Sequence, residues 1–208
     1  MPDYFYLHSP DSRRLTATET SEECQETGFE VSHRKRDQLM IWSCRGFLIH
    51  SSLLDEFERR GFTGLRCRPA LVRFRDGYLS KDYCQAIVAG WGGLARAESG
   101  IQLVEGKCHP GYWSYTDLED ASQLIDWHEW SGDDFFIVWP LPNYRMITAR
   151  VADALASLGV KSYQLGSPSD LERRARPKYF ASGYSVGPVS EHMPMDVAIK
   201  YGKPLGLE

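Results

Sequence analysis

A stretch that occurs twice constrains the fold of this chain more than any other feature. The first copy is "FLIHSSLLDEFERRGFTGLRC", from Phe47 to Cys67, and the second is "YRMITARVADALASLGVKSYQL", from Tyr144 to Leu165. When Ile49 is aligned with Ile147, no gap is needed through Cys67 and Leu165, and the apolar positions coincide. The matched pairs are Leu53 with Val151, Phe57 with Leu155, Phe62 with Val160, Leu65 with Tyr163, Cys67 with Leu165, Asp55 with Asp153, and Gly61 with Gly159.

Each copy has the pattern of one β-α-β unit. A β-rich run leads to a candidate N-cap residue, which is Ser51 or Ser52 in the first copy and Thr148 in the second, and about nine residues with helical spacing follow. Gly61 and Gly159 then stand where the end of a helix favours a left-handed residue, and an alternating strand resumes after each. A chance resemblance between two ordinary strand-helix-strand passages is the alternative interpretation.

The repeat predicts a mixed α/β (α+β) fold in a single domain, residues 1–208. One β-α-β unit cannot bury both its helix face and its strands. We therefore expect the two copies, at about residues 41–75 and 135–166, to share one mixed sheet with the helices packed on it. The opening "DYFYLH", from Asp3 to His8, predicts a short edge strand. Residues 167–208 are expected to wrap the body as a C-terminal extension.

Composition and charge restrict the partners and the compartment. A hydrophobic fraction of 42% is typical of a folded globular protein, and a formal net charge of -4 disfavours the phosphate neutralisation that nucleic-acid binding requires. The five cysteines are odd in number and form no CxxC pair, which favours reduced thiols in a cytoplasm. Asp3 stands where a signal peptide carries positive charge, and no segment has the length of a membrane span. We expect a cytoplasmic protein with a basic partner, no cofactor and no metal.

The short motifs that resemble catalytic sites are incomplete. "GYSVG", around Ser185, matches a nucleophile elbow, but the acid and histidine of that fold lie on later strands, and too little chain follows to hold them. "GWGGLA", from Gly90 to Ala95, fits a loose dinucleotide fingerprint, but Gly100 ends the helix that such a site requires, which favours a bend or bulge. "WHEW", from Trp127 to Trp130, lacks the second histidine of a zinc helix.

We therefore predict no catalytic residues. An enzyme of unrecognised type that uses the Gly90 to Gly93 bend or Ser185 is the alternative function. A zinc-assisted nucleic-acid adaptor is weaker still, because the sequence lacks both the ligands and the positive charge.

Residues 108–144 contain no Lys or Arg and interleave acids with aromatic rings; we call them the acidic segment. Aromatic side chains offer rigid contact area, and charge of one sign steers an oppositely charged partner, so we predict a protein-binding surface anchored by Trp127 and Trp130. The predicted charged contacts are Asp117, Glu119, Asp120, Asp126, Glu129, Asp133 and Asp134. In the alternative interpretation the aromatic rings are core and the acids a solvated rim. Phe135 to Trp139 predicts a buried strand in either case.

Three passages carry a resemblance to a known family: "MPDYFYL", "FLIHSSLLDEFERRGFTGLRCRPALVRFRD" and "DDFFIVWPLPNYRMITARVADALASLGVKSYQL". Over most of residues 1–166 the chain resembles the bacterial immunity proteins of polymorphic toxin systems that are known for a doubled Cys-x-x-Cys-Gly motif. The cysteines of that motif are missing here, since Cys84 and Cys108 have no CxxC partner. The resemblance implies a cytoplasmic inhibitor that binds one cognate toxin directly and neutralises it without turnover. For a nuclease toxin with a basic cleft, carboxylates of the acidic segment are expected at the phosphate positions.

Overall fold

The computed structural model describes residues 3–10, 17–23, 26–32, 38–43, 46–105, 113–141 and 144–175. The helices are α1 (Ser51–Arg59), α2 (Ala149–Ser157) and α3 (Pro168–Arg174), with 3₁₀ turns at Ala97–Ser99 and Ala121–Gln123. The strands are β1 (Tyr4–His8), β2 (Ala17–Glu23), β3 (Glu26–Val31), β4 (Met40–Ser43), β5 (Gly46–His50), β6 (Leu65–Phe74), β7 (Leu79–Val88), β8 (Gly90–Leu94), β9 (Leu103–Glu105), β10 (Trp113–Tyr115), β11 (Phe135–Trp139), β12 (Arg145–Thr148) and β13 (Gln164–Gly166). The predicted mixed α/β class is confirmed, and so is the buried strand at Phe135–Trp139.

Each copy of the repeat folds around a nine-residue helix, as the spacing of its apolar residues predicts. Helix α1 buries Leu53 and Phe57, and helix α2 buries the matched Val151 and Leu155. In each helix the two residues are four positions apart and so lie on one face, one turn above the other. The helices therefore present the same apolar stripe to the core.

The starts of the two helices differ from each other. His50 is the N-cap of α1, and its Nδ1 accepts a hydrogen bond from the Ser52 backbone N–H at 3.2 Å, so the prediction of a Ser51 or Ser52 cap is wrong. Thr148 is the N-cap of α2 as predicted, but its hydroxyl makes no capping bond and donates to Asp134 Oδ1 at 2.7 Å. The second helix thus gives up a side-chain cap in favour of a tertiary hydrogen bond.

The two helices end in the same glycine cap. Gly61 and Gly159 each have φ 66°, and a Cβ at either position would meet nothing within 4 Å. Each cap is closed by the long backbone bond of a Schellman motif. These bonds run from Phe62 N to Phe57 O at 3.0 Å and from Val160 N to Leu155 O at 3.1 Å. Glycine is needed here for the left-handed backbone and not for space.

The strands form two large sheets and one short ladder. Six strands close a barrel in the order β2-β3-β6-β7-β5-β4, and five form an open sheet in the order β13-β1-β12-β11-β8. Both are mixed, because β3 is parallel to β6 in the barrel and β8 is parallel to β11 in the open sheet. The first copy of the repeat lies in the barrel and the second in the open sheet, whereas the sequence predicted one shared sheet. The remaining strands, β9 and β10, pair with each other.

The two copies have the same topology and the same register. In the barrel, β7 lies antiparallel between β5 and β6; in the open sheet, β1 lies antiparallel between β12 and β13. The two strands joined by each helix are therefore parallel to each other, with one antiparallel strand between them. The equivalent cross-strand pairs are His50–Tyr83 with Thr148–Tyr4, and Cys67–Ala86 with Leu165–Leu7. This agreement makes a chance resemblance a poor account of the repeat.

In the second unit, β1 occupies the position that β7 occupies in the first. Strand β7 follows β6 directly along the chain, whereas β1 comes from the N-terminal part. Because β1 pairs on both sides, it is a central strand, and the prediction of an edge strand for Asp3 to His8 is wrong. Tyr6 and Leu7, neighbours on opposite faces, are each only 2% exposed, as a central strand covered on both faces requires.

Two apolar cores follow from the alternation of side chains along the barrel strands. On β5, Leu48 points into the barrel, while Phe47 and Ile49 join a larger core that also takes in both helices and the open sheet. The barrel interior consists of Phe29, Val31, Ile41, Leu48, Ala70, Val72, Phe74 and Tyr83. The larger core therefore joins the two halves.

In each unit, the loop that follows the helix contacts the first strand of the other unit. The Phe135 backbone N–H on β11 donates to Thr63 O, just after α1, at 3.1 Å. Reciprocally, Trp42 Nε1 on β4 donates to Ser162 O, just after α2, at 2.6 Å. The rings of Phe57 and Phe135 lie 5.5 Å apart in the same interface. These contacts, one in each direction, hold the two units together.

The central position of β1 can be tested with two leucines that face each other across β1 and β13. Leu7 is 2% exposed and Leu165 is 36% exposed. We predict that Leu7→Ala lowers the free energy of unfolding by about 2–5 kcal/mol because it leaves a cavity. The matched Leu165→Ala is expected to cost less than about 1 kcal/mol. Urea unfolding followed by tryptophan fluorescence measures both, and equal losses would contradict a central β1.

The equivalence of the helix ends can be tested at the two glycines. We predict that Gly61→Ala and Gly159→Ala each lower the free energy of unfolding by about 1–2 kcal/mol, because an alanine Cβ strains the left-handed backbone. Asparagine tolerates that conformation better, so Gly61→Asn and Gly159→Asn should lose less. Thermal unfolding of the four variants measures the effect. Sensitivity at only one of the two sites would show that the caps are not equivalent.

Candidate protein-binding surface

Residues 115–133 of the acidic segment cover one face of the open sheet. Tyr6 lies opposite Met146, which lies opposite Phe136, so these three side chains share that face. Phe135 lies on the other face, where it meets Phe57 of α1. The segment turns its apolar side chains inward, at 4% exposure or less; they are Tyr115, Leu118, Ala121, Leu124 and Ile125. Its backbone is therefore fixed to the sheet by burial of apolar surface.

The two predicted anchors, Trp127 and Trp130, fasten the segment to the sheet. Their rings meet edge to face at 5.4 Å, and both are partly buried against the larger core. Trp127 lies 5.9 Å from Tyr4 of β1, and Trp130 lies 5.8 Å from Phe136 of β11. This inward packing agrees with the interpretation of the rings as core. Whether their exposed edges also meet a partner stays a prediction.

The middle of the segment is held by a buried tyrosine and by α3. The Tyr4 hydroxyl donates to Ala121 O at 2.6 Å, and the Ala121 N–H donates to Glu172 Oε1 on α3 at 2.8 Å. Burial, and then the negative charges of Glu172 and Asp120, raise the pKa of Tyr4 above its ordinary value. The hydroxyl therefore stays protonated at neutral pH and keeps its role as a donor.

The first set of acids, Asp117, Glu119 and Asp120, lies beside the 3₁₀ turn at Ala97–Ser99. The backbone N–H groups of Glu119 and Asp120 both donate to Ser99 O, at 2.9 and 3.2 Å. Asp120 is partly buried, and its Oδ1 accepts from the Ser122 N–H at 2.9 Å. Asp117 and Glu119 are exposed. Of this set, Asp117 and Glu119 present carboxylates to solvent on an ordered backbone.

The second set of acids, Asp126, Glu129 and Asp133, lies along β8, which is an edge strand of the open sheet. Asp126 and Asp133 are partly buried, and Glu129 is exposed. Glu129 Oε2 accepts from the Leu94 backbone N–H at 3.2 Å. Asp133 Oδ2 accepts from the Ser131 hydroxyl, which also accepts from the Trp91 N–H at 3.2 Å. These side chains cover the open hydrogen-bonding edge of β8, as edge strands require.

Asp134 differs from the other predicted contacts because it is buried, at 4% exposure. Its carboxylate accepts from the Thr148 hydroxyl at 2.7 Å and lies 3.3 Å from Arg150 Nη1. Arg150 Nη2 also donates to Arg60 O at the end of α1, at 3.2 Å. Asp134 therefore joins the two units from inside and is removed from the candidate surface. The Thr63 backbone N–H also donates to Asp134 Oδ2, at 3.4 Å. The sequence did not predict this contact because 71 residues separate Thr63 from Asp134.

The glycines of "GWGGLA" serve close packing. A Cβ on Gly90 would lie 2.1 Å from Phe135 O, and a Cβ on Gly92 would lie 2.7 Å from Phe136 Cδ2. Gly93 has φ 86°, and the β8–β11 register shifts between Ile137 and Trp139. The predicted bulge is confirmed, and the chain continues into a three-residue turn and not into a long helix. Ser185, the other residue of the enzyme alternative, lies outside the described residues.

Comparison with protein-family models and with curated proteins gave no match to this chain. Across the part of the chain that the structure describes, His, Cys, Asp and Glu form no group of three or more that could hold a metal ion. Within the same residues, none of the helices has both the length and the apolar character needed to cross a bilayer. The acidic segment is therefore the feature of the molecule that points to a function.

The structural role of Asp134 can be separated from that of the surface acids. We predict that Asp134→Ala lowers the free energy of unfolding by about 1.5–3 kcal/mol, because it leaves the buried Thr148 hydroxyl and Arg150 without their acceptor. The matched Glu119→Ala removes an exposed carboxylate of the same segment and should stay within about 0.5 kcal/mol of the wild type. Guanidinium unfolding measures both. Equal stabilities would mean that the carboxylate of Asp134 does not hold the units together.

Proposed function

We propose that the protein is an immunity protein, which binds a cognate bacterial toxin in the cytoplasm and neutralises it by direct contact. The contact surface in this proposal is the outer side of the acidic segment. A toxin with a basic active-site cleft, such as a nuclease, is the target class that this surface suits. The carboxylates would then lie where the phosphates of the substrate otherwise bind, and no turnover would be needed.

The observation that carries the proposal is the combination of exposed charge with a fixed backbone. Asp117, Glu119 and Glu129 are exposed, while the apolar residues between them are buried against the sheet. A surface that is ordered before binding loses little conformational entropy on association. The segment is thus arranged as a preformed patch and not as a loop that must fold on its partner.

The charge of the patch is one-signed along the chain. No Lys or Arg occurs among residues 113–141. Arg96 is a basic neighbour from outside the segment; its hydrogen bond to Glu98 raises its pKa, and the nearby negative charge of Asp126 raises it further. Net negative charge over such a surface accelerates encounter with a basic partner and disfavours acidic ones. The resemblance of the repeat to the toxin-immunity families supports a toxin as that partner.

The first experiment is co-purification with the product of the adjacent gene, followed by binding kinetics with charge-reversed variants. We predict that Asp117→Lys/Glu119→Lys slows association by about 10- to 100-fold at low salt and weakens protection against the toxin. The matched control is Asp55→Lys/Asp153→Lys, which reverses two exposed acids at equivalent positions of α1 and α2. It makes the same change in net charge away from the segment and should keep association within about threefold of the wild type.

Two results would count against the proposal. If both double variants slow association equally, net charge and not the acidic segment governs binding. If the first double variant binds the toxin with the wild-type rate and affinity, the first set of acids lies outside the interface. Circular dichroism of each variant establishes that it is folded before its kinetics are interpreted.

A further inference from the structure

Two free cysteines lie next to each other on the outer face of the barrel hairpin. Cys67 on β6 lies opposite Ala86 on β7, and Cys84 precedes Ala86 by two residues, so both cysteines point to the same face in diagonal positions. Cys67 is exposed and Cys84 is partly buried. The register thus brings the two thiols together. Both lie outside the acidic segment, residues 108–144.

The side chains of these cysteines interact directly. The Cys67 thiol is hydrogen-bonded to the sulfur of Cys84, and this bond raises the pKa of Cys67 while lowering that of Cys84. Burial opposes the lowering at Cys84, and the nearby charge of Glu58 opposes it further. The shared face and the diagonal register bring the two side chains toward each other, which is the first requirement for a disulfide.

The strand geometry determines how strained a disulfide between Cys67 and Cys84 would be. Diagonal positions on antiparallel strands lie roughly 7–8 Å apart, slightly beyond the usual Cα separation of a disulfide. Closure must therefore draw β6 toward β7. Strand β6 can move there, because within the described residues its pairing with β3 begins only at Ala70. In addition, Pro69, which lies opposite Cys84, has no N–H and so donates no backbone hydrogen bond that the movement would break. A disulfide formed under such strain is easily reduced.

We propose that Cys67 and Cys84 form a reversible disulfide with a small-molecule disulfide oxidant such as oxidised glutathione. Although its pKa is the higher of the two, Cys67 meets the oxidant first because it is exposed and Cys84 is partly buried. The Cys67 thiol loses its proton to solvent and attacks one sulfur of the oxidant, which releases one glutathione thiolate. The Cys84 thiolate then attacks Cys67 Sγ, breaks the mixed disulfide and releases the second glutathione. Two protein thiols are oxidised by two electrons, and one glutathione disulfide is reduced to two glutathione molecules.

The test exposes the reduced full-length protein to stepped ratios of oxidised to reduced glutathione. Free thiols are then trapped with N-ethylmaleimide, and peptides are mapped by mass spectrometry. In the wild type, Cys67 and Cys84 should lose maleimide labelling together and appear as one linked peptide, which excess reduced glutathione reverses. In Cys84→Ser, Cys67 should instead accumulate a glutathione adduct, because the thiol that resolves it is missing.

The Cys84→Ser variant also shows whether the glutathione ratios used can oxidise Cys67 at all. The proposal is overturned if wild-type Cys67 and Cys84 both keep maleimide at every ratio, or if wild-type Cys67 carries as much glutathione as it does in Cys84→Ser. Linkage of either thiol to Cys24, Cys44 or Cys108 would overturn it as well. Far-UV circular dichroism of Cys67→Ser and Cys84→Ser checks that both variants are folded, and Cys67→Ser should leave Cys84 labelled by maleimide.

Discussion

The fold depends on one antiparallel strand inserted between the two parallel strands of each β-α-β unit. A right-handed crossover through a helix can join two parallel strands while leaving room for one strand between them. Another strand must occupy that position because buried backbone N–H and C=O groups need partners. In the barrel the strand β7 fills it, and in the open sheet β1 does so with the same register. The apolar stripes of both helices then cover equivalent places, which allows two copies of one sequence pattern to form one shared core.

The same arrangement positions the acidic segment. The second unit supplies an open sheet with a free face, and the segment buries Trp127, Trp130 and its aliphatic residues there. Its acids divide by role: Asp134 joins the units through Arg150, Glu129 covers the edge of β8, and Asp117 and Glu119 face solvent. Structural and surface carboxylates are thus adjacent in sequence but distinct in environment, which is why a segment with so many acids can be both part of the fold and a binding surface.

Local pattern predicted the local elements well. Both helices, both glycine caps and the buried strand at Phe135–Trp139 follow from spacing and backbone preference over a few residues. The sequence did not predict the barrel, the central place of β1 or the ion pair of Asp134 with Arg150, because each depends on pairing between distant segments. It also did not show which acids of the segment point inward. Asp133 and Asp134 are neighbours just before β11, yet only Asp134 is buried, because its carboxylate meets Thr148 and Arg150 whereas that of Asp133 meets Ser131.

The N-terminal origin of β1 has a consequence for folding during synthesis. The barrel unit has all its strands once the ribosome has passed β7, so its contacts close early and over short chain separations. Strand β1 is made before the barrel strands but must wait for β12 and β13, which are among the last described elements to emerge. Its two hydrogen-bonding edges and its apolar side chains stay unmatched throughout that interval. The nascent chain therefore carries an exposed strand that invites mispairing or chaperone binding until β12 and β13 have been made.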